Sequence, residues 1–295
     1  MSMTRTAHQG FTLIELSIVL VVIGLIVGGI LVGQNLISAA AVRAQITQIE
    51  KYQTATVTFR EKYGYLPGDI TPQAVTQFNF TASPTRAGVQ GSGDGNGELD
   101  GNDAGNFLAY SWMQSGENLF FWEDLSANAS LIEGRLNSAY GVYGLPGSSN
   151  ACTSSTACSA YFPSSKIGGG AFVYVYSGYA ASCCPSITGF GPNFFGVSFI
   201  NSISNSEING GAPALTVAQA AAIDAKIDDG KPTAGNVLAQ YLGGSFGHPT
   251  WSTSGSTPSA TTCYDTSSGT AAYSVSYQNG ANVTCGISFK MQAGD

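Results

Sequence analysis

The sequence predicts an α+β protein with one long N-terminal helix and a globular head that combines an antiparallel β-sheet with short helices. Three observations predict this class. An apolar run extends to about Ile37, a helical apolar stripe continues to Gly64, and beyond Gly64 strand-like segments alternate with turns rich in Gly and Pro. We divide the chain into a leader (1–10), a transmembrane half of the helix (11–37), an amphipathic half (38–64) and the head (65–295).

The first element is a polar leader that precedes the apolar run. Residues 1–10 contain Arg5 and His8 but no acid, which favours a cytoplasmic leader. The run that follows matches the roughly 20 residues that a helix needs to cross a bilayer. A secretory signal is cut after its apolar core, whereas the candidate cleavage point here, between Gly10 and Phe11, comes before it. The alternative is a plain signal anchor with a disordered N-terminus.

The segment Gly10-Phe11-Thr12-Leu13-Ile14-Glu15 resembles the type IV prepilin family, which includes the pseudopilins of type II secretion. The resemblance implies that a membrane-embedded prepilin peptidase cuts after Gly10 and that the new amino group of Phe11 is methylated. It also implies partners: other pilin or pseudopilin subunits and an inner-membrane assembly platform. The protein would first be a single-pass protein of the bacterial inner membrane with a periplasmic head, and then part of a periplasmic or cell-surface filament.

Glu15 is an acid within an apolar segment. An ionised carboxylate costs several kilocalories per mole in lipid, so such a residue is by default functional and has a partner. In the resembled family the partner is the N-terminal amine of a neighbouring subunit, which here is that of Phe11. Because a buried carboxylate and a buried ammonium are tolerated only together, the pair would set the register between adjacent helices. The alternative is that Glu15 extends to the lipid headgroups.

Four glycines give a second signal for association of the helix. Gly24 and Gly28 form one G-x-x-x-G pattern, and Gly29 and Gly33 form another, a spacing that lets helix backbones approach closely. The proline common in this part of the family's helix is replaced by Val32. Two alternatives follow: a helix that is more continuous than in many pilins, or a weak point supplied by Gly28-Gly29 instead.

The amphipathic half carries an apolar stripe that favours packing against the head over a binding groove. Together with the membrane half it predicts one helix from about Thr12 to Tyr63, which Gly64 and Pro67 end. The stripe consists of Val42, Ile46, Ile49, Tyr52, Phe59 and Tyr63.

Within the head, the patterns predict two helices, two core strands and a C-terminal hairpin. The helices are expected at 117–132 and 213–231, the strands at 171–176 and 195–200, and the hairpin at 271–277 and 282–289 around Gln278-Asn279-Gly280. The side chains expected in the core from the first helix are Phe120, Phe121, Trp122, Leu125, Leu131 and Ile132. The phrases KYGYLPGD and ENLFFWEDLSANASLIEG resemble a subset of large, minor-pilin-like proteins.

Two acidic segments are candidate cation sites. Oxygen donors on alternate residues, Asp94, Asn96, Glu98 and Asp100, resemble a loop that wraps Ca²⁺. The segment is not an EF-hand, because Leu99 and Gly105 replace the expected glycine and glutamate, and the alternative is a set of tight turns. The second segment has Asp224, Asp228 and Asp229, compensated by a cation or by Lys226 and Lys231.

Six cysteines lie in the part of the chain that the helix would deliver across the membrane: Cys152, Cys158, Cys183, Cys184, Cys263 and Cys285. An even number there favours disulfides. Our preferred pairs are Cys152 with Cys158 and Cys263 with Cys285, the latter stapling the terminal hairpin. The adjacent Cys183 and Cys184 are then left as a strained pair, so a reshuffled connectivity stays open. Zinc is disfavoured, since C-x-x-C is absent and only His248 remains after cleavage.

Charge and motifs weigh against two function classes. Residues 65–295 hold six Lys/Arg and fifteen Asp/Glu, a balance of −9, so we expect no nucleic acid partner. Gly243-Gly244-Ser245-Phe246-Gly247 satisfies G-x-S-x-G, but neither the required strand nor helix is evident, and His248 follows too closely to act as the base.

The sequence therefore predicts a non-enzymatic structural subunit, assembled through its N-terminal helix into a type IV pilus or type II secretion pseudopilus. The head of more than 200 residues favours a minor or specialised subunit. The first alternative is a tip adhesin that binds its ligand through loops rich in Tyr, Ser and Gly. The second is a secreted hydrolase that would depend on Ser245 or His248.

Overall fold

A computed structural model describes residues 12–81, 86–88, 92–99, 116–138, 152–177, 192–204, 207–210, 213–241 and 258–294. The chain divides into two compact units, Met1–Ala41 and Val42–Asp295. The predicted α+β class is confirmed, with a long apolar helix at the N-terminus and an antiparallel sheet with short helices in the second unit.

The helices are few and, apart from the first, short. They are α1 (Leu13–Tyr63), α2 (Pro72–Gln77), α3 (Glu117–Glu123), which continues into a π-helical turn (Asp124–Asn128), α4 (Ser155–Cys158) and α5 (Val217–Ile227), with 3₁₀ turns at Tyr277–Gly280 and Gln292–Gly294. The strands are β1 (Ala171–Ser177), β2 (Asn193–Ser204), β3 (Glu207–Gly210), β4 (Leu215–Thr216), β5 (Val237–Tyr241), β6 (Tyr264–Asp265), β7 (Ala272–Tyr273) and β8 (Val283–Lys290).

Helix α1 matches the predicted span to within one residue. From Val42 onward it belongs to the second unit and buries the predicted stripe there, with Phe59 fully enclosed and Ile46 and Tyr63 at the edge. The ring of Tyr52 packs edge-on against Trp122 of α3 at 5.0 Å. The apolar periodicity did not indicate that polar side chains on the same face, Gln45, Gln48 and Thr56, are buried as well.

The main sheet has the path β1-β2-β8-β4, with β3 added to β2 and β5 added to β8, all antiparallel. Strand β1 is buried along its whole length. Both predicted core strands are present, and β2 extends beyond its predicted bounds at both ends. Phe195 of β2 faces Phe121 of α3, with ring centroids 5.8 Å apart, so α3 and the sheet share one aromatic core.

The predicted C-terminal hairpin is wrong. The residues before the turn form β7, which pairs with β6, whereas β8 pairs with β2 and β4 on one edge and with β5 on the other. The turn chemistry was recognised correctly, since Gln278 and Asn279 adopt the left-handed backbone at φ 46° and 52°. The strand after the turn has no edge left for a hairpin partner, because both of its edges are already paired.

Both predicted helices of the head are shorter than expected. The first ends its α-helical part at Glu123 and widens into the π-helical turn, where the N–H of Ala129 donates to the carbonyl of Asp124. Leu131 therefore lies outside the helix and is only partly buried. The second begins at Val217, because Thr216 caps it in a reciprocal bond with Gln219.

Both preferred disulfides are confirmed. Cys152 is bonded to Cys158, closing a small loop around α4, and Cys263 is bonded to Cys285 of β8. The second bond ties the segment before β6 to a central strand, so it does not staple a hairpin as we expected. Cys183 and Cys184 lie outside the described residues.

Candidate assembly site

The apolar half of α1 is the first component of the candidate site. Its large apolar side chains, from Leu13 through Leu25 to Ile37, are exposed in the first unit. By length and composition, α1 is long and apolar enough to cross a membrane. An uninterrupted apolar surface on a helix is stable only in lipid or against other helices.

Glu15 closes the N-terminal turn of this helix together with Thr12. The backbone N–H and the hydroxyl of Thr12 both donate to Oε2 of Glu15 at 2.8 Å, and the N–H of Glu15 donates back to the Thr12 hydroxyl at 3.3 Å. This is a capping box, in which the cap and the third residue after it satisfy each other's polar groups. Its effect is to hold the carboxylate at the very start of the helix.

Thr12 is the site residue that our reading of the sequence missed. The signal was present, since a Thr followed by Glu three residues later, directly before an apolar run, is the pattern of a capping box. From the sequence, we considered Glu15 only as a charge. The Thr12 hydroxyl positions that charge.

The four glycines of the two G-x-x-x-G patterns are open on the helix surface. A Cβ atom placed on Gly24, Gly28, Gly29 or Gly33 would meet nothing within 4 Å. Helix α1 runs through Gly28-Gly29 without a break in its assignment. The backbone is therefore accessible to another helix at four positions.

Gly10 and Phe11 lie outside the described residues, so the leader is tested by comparison of sequences. A family model described as the prokaryotic N-terminal methylation motif matches residues 5–31. The chain carries this motif. The match supports the type IV pilin and pseudopilin family, as predicted, and thus a pilin-type subunit that is processed by prepilin peptidase and associates in general with other pilin subunits. Comparison with curated proteins and with solved structures gives no match.

The motif and the apolar helix together fit a membrane-anchored, single-pass protein. The motif covers only the start of the chain. Membership of the large, minor-pilin-like subset therefore stays a prediction.

In the head, the acidic loop lies beside two further carboxylates that the predicted calcium site did not include. Asp94 lies with Asp69 and Glu117 in a cluster whose carboxylate oxygens are within 4.8 Å of one another. The N–H groups of Gly95 and Gly97 each donate to Asp69 at 2.7 Å. Burial, and to a smaller extent the charge of Asp94, raises the pKa of Asp69 to about 7 against the lowering effect of these two bonds.

The alternate oxygen donors of the same loop bond to one another. The backbone and side-chain amides of Asn96 donate to Asp94 at 3.1 Å, and the N–H of Glu98 donates to the Asn96 side chain at 2.6 Å. Such bonds are typical of the tight turns that we named as the alternative. Asp100 lies outside the described residues. Calcium binding by Asp94, Asn96, Glu98 and Asp100 stays a prediction.

The second acidic segment forms a cluster of Asp224, Asp228 and Asp229. Asp224 accepts from the Tyr273 hydroxyl at 2.7 Å, and burial raises its pKa. Asp229 accepts from the Lys231 N–H and forms an ion pair with the Lys231 side chain at 3.3 Å. Of the two lysines that we expected as compensation, Lys231 therefore takes that role. A cation at this cluster stays a prediction, and Ser245 and His248 lie outside the described residues.

Proposed function

We propose that this protein is a structural subunit of a type IV pilus or a type II secretion pseudopilus, assembled through α1. The observation that carries the proposal is the apolar half of α1, which lies largely within the matched methylation motif and has exposed side chains from Leu13 to Ile37. In a filament, neighbouring helices would cover this surface as lipid does before assembly.

Glu15 would pair with the amine of Phe11 on a neighbouring subunit. Both bonds from Thr12 go to Oε2, and among the described residues no hydrogen bond uses Oε1. The capping box thus holds the carboxylate at the helix start and leaves one oxygen for an ammonium. Burying an ammonium and a carboxylate as a pair costs less free energy than burying either charge alone. The pair therefore favours one register between adjacent helices.

The glycines would allow the helices to pack closely around this pair. Gly24 and Gly28 lie one helical turn apart, as do Gly29 and Gly33, and no side chain covers them. The large head, over 200 residues, supports a minor or specialised position among subunits. The proposed role is assembly and display, without catalysis.

Mass spectrometry of the protein from membrane and sheared-surface fractions tests the proposal. We expect a chain that starts at methylated Phe11 in both fractions. In the Glu15→Gln variant, cleavage should continue while the sheared fraction falls by at least about tenfold, because breaking a buried ion pair costs about 3–5 kcal/mol. The matched control is Glu50→Gln, at an exposed position of α1, which should assemble normally.

Two results would contradict the proposal: a mature N-terminus other than Phe11, or Glu15→Gln filaments as abundant as those of the wild type.

Immunogold labelling of sheared filaments then locates the subunit along the filament. Label along the shaft supports the structural role, and label confined to one end supports the tip adhesin.

A further inference from the structure

A groove of about 530 Å³ lies beside the head portion of α1, entirely within the second unit. One wall comes from α1, and the other comes from the loop at Glu133 and the segment before β1. The side chains that give the groove its chemistry are Gln48, Lys51, Tyr52, Glu133, Ser164 and Lys166. Its volume is in the range of ligand pockets, about 300–1,000 Å³.

Buried and partly buried hydrogen bonds fix the floor of the groove. The side-chain amide of Gln48 donates to the Tyr52 hydroxyl and to the Ser164 carbonyl, each at 2.9 Å. The N–H of Lys166 donates to the side-chain oxygens of Gln45 at 2.8 Å and Gln48 at 3.1 Å. Because two glutamines of α1 hold the backbone of the opposite wall, the groove keeps its shape.

The groove is rich in hydrogen-bond donors. Lys51 and Lys166 present ammonium groups at its mouth, and the Tyr52 hydroxyl, which accepts from Gln48, finds no acceptor for its proton among the described residues. The residues facing these groups bring one acid, Glu133. The groove therefore has a net charge of +1 in a chain whose formal net charge is −7.

Glu133 shows that these donors bind a carboxylate. Its carboxylate is 3.0 Å from the Lys51 ammonium, and the hydrogen bond from Lys51 lowers the pKa of Glu133. The Glu133 side chain is 94% exposed and that of Lys51 is 44% exposed. An ion pair so exposed contributes little to stability, so another carboxylate can replace Glu133 at low cost.

We propose that this groove binds an acidic side chain of a second copy of the chain, which takes the place of Glu133 between Lys51 and Lys166. The inference rests on the proposed function, since it needs subunits that meet in a filament. Charge complementarity selects the occupant, because residues 65–295 have a balance of −9 and present acids to a donor-rich groove. Contact between two different patches of one chain generates an open filament when the rotation between subunits does not close a ring.

Zero-length carbodiimide coupling on filaments of the full-length protein tests the proposal. The reagent joins a carboxylate to an ammonium that it touches. Subunits labelled with ¹⁴N and ¹⁵N are mixed in one cell population, so a peptide of mixed isotope identifies a bond between chains. We expect such peptides to link Lys51 or Lys166 to an acidic residue of another copy.

A charge-reversed double variant, Lys51→Glu with Lys166→Glu, should lower the yield of filaments by about fivefold or more, the range that a few exposed ion pairs give. The control is Lys226→Glu, an exposed lysine on α5 that does not line the groove, and it should leave the yield unchanged. The double variant with Gln at both positions removes the two positive charges without adding negative ones, and should give an intermediate yield.

The outcomes separate this inference from the proposed function. A photo-crosslinker at Leu20 reports contact between the apolar halves of α1. If Leu20 crosslinks form but Lys51 and Lys166 couple only to Glu133 of their own chain, or to a different protein, this inference is wrong and the proposed function stands. If neither type of crosslink forms, both are overturned.

Discussion

Arg86 and Asp124 form an ion pair that is removed from water. Their side chains are 1% and 0% exposed, and two bonds of 2.6 and 3.0 Å join them. Asp124 also accepts from the Gly68 N–H at 2.7 Å and from the Asn128 amide at 2.9 Å, while Arg86 lies over the Phe120 ring. One carboxylate thus joins three separate segments at the start of the π-helical turn.

Replacement of Arg86 by Met should destabilise the head by about 3–5 kcal/mol, because the charge of Asp124 would remain buried without its counter-ion. Urea unfolding of the purified protein measures the free energy. Arg135→Met is the control at an exposed arginine, where we expect a change within about 0.5 kcal/mol. Equal effects of the two substitutions would contradict the role of the pair.

Asp69 predicts a pH dependence of stability. Its pKa is about 7 in the folded state and near 3.8 in the unfolded chain, so between these values the folded state binds more protons. The stabilisation that the Asp69 carboxyl contributes is therefore complete at low pH and is lost as the pH rises through about 7. Replacing Asp69 by a residue that does not ionise should increase the free energy of unfolding most at high pH.

In Asp69→Asn, the free energy of unfolding relative to the wild type should rise between pH 5 and pH 8. Taking the difference cancels the other groups whose titration is unchanged. Asp265→Asn is the control, because the bond from the Ser267 N–H lowers the pKa of Asp265 and gives no gain at pH 8. A relative stability of Asp69→Asn that is flat or falls with pH would contradict the assignment.

At the scale of single residues, the sequence predicted those sites whose residues lie close together in the chain. The Gly10-Phe11-Glu15 segment was readable because the whole signal lies within six residues. The partners of Asp94 were not, because Asp69 is 25 and Glu117 is 23 positions away, and only the folded loops bring the three together. The ion pair of Arg86 and Asp124 was not predicted, for the same reason.

Among the elements, α1 was the most predictable. Its continuous apolar run and the helical stripe that follows it together predict one helix over the 51 residues, and a glycine and a proline mark the end. The terminal hairpin shows the opposite case. Its turn residues gave a correct local signal, but β2, β4 and β5 pair with β8, and pairings between distant strands leave no trace in a short window.

The two confirmed disulfides should differ in their contribution to stability. The Cys263–Cys285 bond closes a loop of 22 residues in sequence, and the Cys152–Cys158 bond closes one of 6. Loop-closure entropy then makes removal of the Cys263–Cys285 bond more destabilising than removal of the Cys152–Cys158 bond by about 1 kcal/mol. Urea unfolding of the two double Cys→Ala variants measures the difference, and a larger loss from the Cys152–Cys158 variant would contradict the expectation.

For the molecule as a whole, the two units predict different solubility. The first exposes apolar side chains from Leu13 to Ile37, whereas the second, Val42–Asp295, has its own buried core. A chain that begins at Val42 should therefore stay in the supernatant of a detergent-free extract, while the full chain should sediment with membranes. Fractionation and immunoblotting measure this. A Val42 chain that also sediments with membranes after a high-salt wash would contradict it.

The class of fold was predictable at this scale, because a membrane-length helix followed by strands and turns admits few arrangements. The path of the sheet was not, since six cysteines and several short strands are compatible with many topologies.

The place of β8 in the sheet sets an order of events during synthesis. Among the described strands, β1, β2 and β3 pair with one another without β8, whereas β4 and β5 pair only with β8, which follows both in the chain. These two strands must therefore wait in an unpaired, aggregation-prone state until β8 has been made. A stop codon before Val283 would remove the strand that holds β2 and β5 together.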